Sequence, residues 1–202
     1  FGVELDPERE VVVTMGSKEG LASLATAITT PGDVVMAPHP SYPIHTFGFI
    51  IAGATIRSVP TTPDERYWES LDRAMAFTVP RPSILVVSYP SNPTAETVDL
   101  AFYARLVAWA KENKVWVLSD LAYSELYYDG NPTPSILQVP GAKDVAVEFT
   151  SMSKTYSMAG WRMGFAVGNQ KLIAAMTRVK SYLDYGAFTP IQAAAVAALN
   201  GP

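Results

Sequence analysis

Val145-Ala146-Val147-Glu148-Phe149 runs into Ser151-Met152-Ser153-Lys154, and Arg162-Met163-Gly164-Phe165-Ala166-Val167 follows eight residues after that lysine. This stretch decides how the rest of the chain is read. Near-continuous apolar runs of this length suit strands buried on both faces of a sheet. The first run reads as such a strand, ending at Ser151. A second strand running antiparallel to the others would start at the edge where they end. That would bring Arg162 to the same edge as Lys154.

Working outward, similar runs occur at Val11-Val12-Val13-Thr14, Asp33-Val34-Val35-Met36, Ala54 to Val59, Ser83 to Val87 and Val115 to Leu118. Helical candidates lie between them. Glu19 to Thr29 is rich in Leu and Ala and stops before Pro31-Gly32, a stop signal. Asp99 to Asn113 repeats Leu100, Tyr103, Leu106, Val107 and Ala110 at helical spacing. Gln170 to Leu183 and Pro190 to Leu199 read as helices as well. The alternation predicts an α/β fold, a three-layer αβα sandwich whose mostly parallel sheet carries one antiparallel strand. No repeat or internal linker interrupts it, so residues 1–202 read as one domain.

Composition narrows the classes. Apolar residues make up 49% of the 202, and the net charge is −4 with both signs interspersed. Neither figure points to disorder, nucleic acid or an anionic membrane as partner. The absence of cysteine excludes disulfides and thiolate metal sites. No run is long enough for a membrane helix and no signal peptide opens the chain, so a cytoplasmic location is expected. Phe1 at the start and Asn200-Gly201-Pro202 at the end read as cuts in a longer chain.

In open α/β sheets, ligands bind beyond the carboxyl ends of the strands. Four polar clusters fall there: Gly16-Ser17-Lys18-Glu19-Gly20, Tyr89-Pro90-Ser91-Asn92-Pro93-Thr94, Asp120 with Tyr123, and Ser151 to Lys154. A glycine turn opening a helix offers free N–H groups to an anion. The same residues equally describe an ordinary serine-capped helix. Asn92-Pro93 alone describes a turn, and Asp120 alone a helix cap. Lys111, Lys114, Lys143, Lys171 and Lys180 read as solvated, whereas Lys154 sits among small, aromatic and thioether residues. Partial burial there would make its amine a nucleophile or Schiff-base former. Arg162 offers a planar fork suited to phosphate. His39 and His45 read as loop histidines with no metal spacing, and the tryptophans as packing residues.

Taken together, these motifs resemble the class I/II aminotransferases of fold type I. Ser-Met-Ser-Lys with Arg162 in Gly-Trp-Arg-Met-Gly is similar to that family's cofactor-lysine motif, Asn92-Pro93-Thr94 to its Asn-Pro motif, and Asp120-x-x-Tyr123 to its ring-facing pair. The resemblance implies pyridoxal 5'-phosphate held as a Schiff base on Lys154, which would also shuttle the substrate proton. It implies Asp120 on the pyridine nitrogen, Asn92 and Tyr123 on the ring oxygen, and Tyr42 stacked on the ring. Ser17, Lys18, Ser151 and Arg162 would surround the phosphate, with Ser153 as a helper. It further implies amino-acid and 2-oxo acid substrates and a homodimer for the full-length protein. The small domain would carry the substrate-carboxylate arginine, so this chain alone is expected to be weakly active or inactive. Gly-Ser-Lys-Glu-Gly-Leu and Ser-Tyr-Pro-Ile-His are most similar to the alanine/glutamate–pyruvate and diaminopimelate branch. The same residues would serve a lyase of this fold, such as a carbon–sulfur lyase or cyclopropane-carboxylate synthase. A cofactor-binding sensor domain of a transcription regulator would share them too, although no helix-turn-helix or basic patch is present. Gly16 to Gly20 matches neither a P-loop nor a dinucleotide fingerprint.

Overall fold

The β-branched runs become the strands of one sheet: Val11–Thr14 (β1), Val34–His39 (β2), Thr55–Pro60 (β3), Ile84–Ser88 (β4), Trp116–Asp120 (β5), Ala146–Ser151 (β6) and Gly164–Gly168 (β7). The helices are Ser17–Ile28 (α1), Ile44–Ile51 (α2), Glu65–Phe77 (α3), Leu100–Asn113 (α4), Met152–Thr155 (α5), Gln170–Leu183 (α6) and Thr189–Leu199 (α7). These come from a computed structural model that describes residues 1–201; Pro202, the last residue of the expected domain, lies outside them.

The seven strands are ordered β1-β7-β6-β5-β4-β2-β3. β2 to β6 pair in parallel, while β7 is antiparallel to both β6 and β1. β1 therefore runs in the sense of the parallel strands. The single antiparallel strand expected from the Arg162 stretch is present, inserted between β1 and β6.

Successive strand residues point to opposite faces, and the sheet sorts them into two apolar layers. Leu85, Val87 and Val117 pack under α3 and α4 with Tyr67, Leu71, Tyr103 and Leu106. Ile84, Val86 and Leu118 pack under α1, α2 and α6 with Leu21, Leu24, Phe49 and Met176. The result is the three-layer αβα sandwich. α7 contributes Ala195 to a small third cluster with Met152 and Met163.

Helix ends follow the local chemistry. Asp99 caps α4 by accepting from the Phe102 N–H at 2.8 Å, and Asp64 caps α3 through the Arg66 N–H at 2.9 Å; such caps each contribute about 1 kcal/mol. α2 and α3 are additions to the expected elements. The apolar residues of α3 at 67, 68, 71, 74 and 75 do repeat at helical spacing, but α2 is apolar almost throughout and carries little period.

One lysine departs from the solvated face expected of it. Lys180 is buried, 5% exposed, between Glu19 and Asp184. Glu19, distant in sequence, helps to draw its ammonium inward, which composition alone does not reveal. Lys143 pairs with the buried Glu10 at 2.9 Å while its side chain stays in contact with solvent.

Candidate functional site

The site begins at the carboxyl ends of β1, β4, β5 and β6. α1 opens with Gly16 at φ 83°, a conformation that favours glycine, and no side chain caps it. The serine-capped alternative is therefore not what forms. Ser17 lies in the first turn, whose backbone N–H groups have no intrahelical acceptors. A Cβ on Gly16 would lie 2.5 Å from Arg162 Nη2, so only a bare backbone lets the guanidinium settle there. Arg162 donates to the carbonyls of Met15 at 3.1 Å and Ala159 at 2.9 Å. It takes a left-handed backbone, φ 54°, at the entry to β7. A non-glycine residue held there carries a conformational cost and is found most often at functional sites.

Asp120 ends β5, and a turn over residues 122–125 follows instead of a helix, so its carboxylate caps nothing. It faces α2, where His45 Nε2 meets its Oδ2 at 2.9 Å. His45 is fully buried and on a helix, which corrects its reading as a bland loop histidine. Its sequence signal was the spacing Tyr42-x-x-His45 across a helix start, where one turn brings both residues to one side. The rings of Tyr42 and His45 meet edge to face at 6.1 Å. Asp120 Oδ1 is buried and, among the described residues, has no hydrogen-bond partner.

The remaining expected residues converge on the same place. Asn92 Nδ2 donates to the Tyr123 hydroxyl at 3.1 Å. Ser151 ends β6 and its Oγ accepts from the Ser153 N–H at 3.1 Å, which starts the short α5 that carries Lys154. Lys154 Nζ lies 5.9 Å from the Tyr123 ring centre, and Lys18 Nζ lies 5.2 Å from that of Tyr42. A cleft of about 580 Å³ is lined by Ser17, Lys18, Tyr42, Asn92, Asp120, Tyr123, Ser151, Ser153, Lys154 and Arg162, with Ser88, Ala122 and Ala159 completing its wall. Lys154 itself is exposed, contrary to the burial expected of it. Its uncharged neighbours flank the short helix without covering the side chain.

Behind the cleft, on the opposite face of the sheet, Glu148 is buried and accepts from Ser135 Oγ (2.5 Å), the Ile136 N–H and Ser119 Oγ (both 3.1 Å). Burial pushes its carboxyl up to about 7. Those hydrogen bonds act in the opposite sense, and the nearby Asp120 charge adds to the rise. Among the described residues, no cluster of histidine and carboxylate groups suits a metal ion, and no helix is long and apolar enough to cross a membrane.

Comparison with known proteins gives concordant matches. The family model described as aminotransferase class I and II matches residues 1–202. AatC of Rhizobium meliloti (strain 1021) is 64% identical over 201 residues, covering all of this chain and 50% of that protein. The glutamate-pyruvate aminotransferase AlaC of Escherichia coli (strain K12) is 54% identical over 201 residues, covering all of this chain and 49% of AlaC. The LL-diaminopimelate aminotransferase of Aquifex aeolicus (strain VF5) is 48% identical, with 52% of its length covered and all of this chain. Among solved structures, an aminotransferase from Staphylococcus aureus superposes with a TM-score of 0.91 at 33% identity, over 99% of this chain and 53% of that one. The chain thus spans about half the length of the curated relatives it matches.

Proposed function

The chain belongs to the class I and II aminotransferase family, and from that premise we propose that it is the cofactor-holding domain of an enzyme that moves an amino group from an α-amino acid to a 2-oxo acid. The observation that carries this reading is the pairing, across one cleft, of a buried carboxylate with a free oxygen and a lysine beside an uncapped helix start. These residues fit pyridoxal 5'-phosphate. Asp120 Oδ1 lacks a donor that a protonated pyridine nitrogen supplies, and the bare Gly16 turn with Arg162 offers an anion cradle a Cβ would fill. When bound, pyridoxal phosphate supplies an aldehyde that condenses with amines and a ring that draws electrons from the substrate α-carbon.

The chain's residues then divide the labour. Asp120, oriented by His45, would hold a proton at the ring nitrogen. Asn92 and Tyr123 would hydrogen-bond the ring oxygen, and Tyr42 would pack on the ring. Ser17, Lys18, Ser151 and Arg162 would bind the phosphate, with Ser153 beside them. Lys154 would provide the amine that anchors the cofactor and would move a proton at the substrate α-carbon. Its exposed position suits a group that must reach both partners. AlaC's name supports a glutamate or alanine donor and a small 2-oxo acid acceptor. A cytoplasmic homodimer, with residues 1–202 as its large domain, completes the reading.

An absorbance spectrum with added pyridoxal phosphate tests this. Native protein is expected to develop a visible band that borohydride abolishes, and Lys154→Ala is expected to show none. Native protein without the band overturns the role of Lys154. Release of ammonia without keto-acid-dependent transfer, measured on the full-length protein, assigns a lyase instead.

A further inference from the structure

Lys180 is nearly 6% exposed at its side chain and lies on α6, outside the cleft, yet it is tied to the cleft by an unbroken chain of contacts. Its Nζ donates to Glu19 Oε2 at 2.9 Å. Glu19, in the first turn of α1, accepts through the same oxygen from the Met15 N–H at 2.8 Å and through the other from Ser23 Oγ at 2.6 Å. The Met15 carbonyl in turn accepts from Arg162 Nη2 at 3.1 Å. From Lys180 to the guanidinium, the path runs through Glu19 and the backbone of one residue, Met15.

The second partner of Lys180 is Asp184, whose Oδ2 accepts from Nζ at 2.9 Å and whose Oδ1 accepts from the Gly186 N–H at 2.7 Å. Burial acts to raise the Asp184 carboxyl; the Lys180 and Gly186 hydrogen bonds and the Lys180 charge outweigh it and hold it below the ordinary carboxylate value. Two carboxylates therefore share one ammonium. Without that ammonium, both charges would stand unbalanced beside the start of α1, where the cleft is to take an anion. Glu19 would also lose the contact that fixes its position under Met15.

We infer that Lys180 is a positioning residue for the anion cradle: it locks Glu19, and through Met15 holds the Gly16 turn and Arg162 in place, while cancelling carboxylate charge that would repel a phosphate. The inference rests on the phosphate-binding reading of the cleft. It assigns Lys180 an effect on the phosphate end of the ligand and none on the ring.

The test compares pyridoxal phosphate with phosphate-free pyridoxal, each titrated by absorbance into the full-length protein. Native protein is expected to prefer the phosphorylated form. Lys180→Met is expected to lower that preference about tenfold, the scale on which removing a group that orients a first contact is felt at metal centres. Lys180→Arg, which keeps the charge, is expected to restore most of it. Should Lys180→Met fail to fold by circular dichroism, Lys180→Gln, which removes the charge but keeps a polar side chain, takes its place and is expected to lower the preference likewise. Equal weakening of both ligands, as a purely structural role would give, overturns the inference, and so does an unchanged preference. Native protein that binds both ligands alike removes the phosphate reading itself, and the inference with it.

Discussion

Asp120 and Glu148 lie on adjacent strands, 4% and 2% exposed, and show how one residue's offset sets a carboxylate's chemistry. Ser119 is the register partner of Glu148 and Phe149 that of Asp120, so the two acids leave the sheet on opposite faces. Asp120 has a histidine on one oxygen and, among the described residues, nothing on the other. Glu148 is ringed by hydroxyls and one N–H, with no cation among its contacts. Burial on folding, opposed by those hydrogen bonds, raises its carboxyl from an ordinary value of 4.5 to about 7. Between those values the folded chain holds a proton that the unfolded chain has lost. Its contribution is full below pH 4.5, declines as pH rises, and is gone above about 7, a loss on the order of 3 kcal/mol. Glu148→Gln should flatten this part of the profile, read as urea midpoints at pH 5 and pH 8. A variant that keeps the native difference between those midpoints assigns the slope to other groups. At this scale the sequence revealed what strand ends expose: Lys154, Asp120, Asn92 and Ser17 were legible because each follows an apolar run. The burial of His45 and Lys180 was not, because Asp120 and Glu19, which hold them inside, lie 75 and 161 residues away.

Among the elements, β7 does most to shape the cleft. It runs antiparallel between β6 and β1, so the chain stays at the ligand edge after β6 and the strand starts there, just after Arg162. Gly164 makes this possible. A Cβ there would lie 2.6 Å from the Thr150 carbonyl oxygen and 3.1 Å from Gly16 Cα. Gly164→Ala should therefore force β7 and the Gly16 turn apart, at a cost of about 1–3 kcal/mol. Gly160, a few residues earlier, faces open space and has no left-handed backbone, so Gly160→Ala should be nearly neutral. Thermal unfolding of the two variants makes the comparison, and equal midpoints would refute the close-packing account. The strands and α4 were legible from their apolar periods. α2 was not: Ile44-His45-Thr46-Phe47-Gly48-Phe49-Ile50-Ile51 is rich in β-branched, aromatic and glycine residues that locally favour other states. Packing on α1 and the sheet settles it as a helix.

For the molecule as a whole, the sheet order sets a gradient of protection. β4 and β5 are buried and flanked on both sides, whereas β3 is an edge strand with mostly exposed or half-buried residues. Native-state hydrogen exchange should show the amides of β4 and β5 opening only with global unfolding, and those of β3 opening locally and sooner. Equal protection across the three strands would contradict this. The αβα architecture was readable from alternation alone, but the position of β7 was not, because local patterns carry no information on strand order. That position has a thermodynamic corollary. β1 and β7 pair across most of the chain, from Val11 with Val167 to Thr14 with Gly164, and the Gly16 turn and Arg162 extend directly from that pair. A ligand gripping both is a latch on this long closure. At a hundredfold excess over its Kd it would add about 2.7 kcal/mol against any opening that parts the two strands.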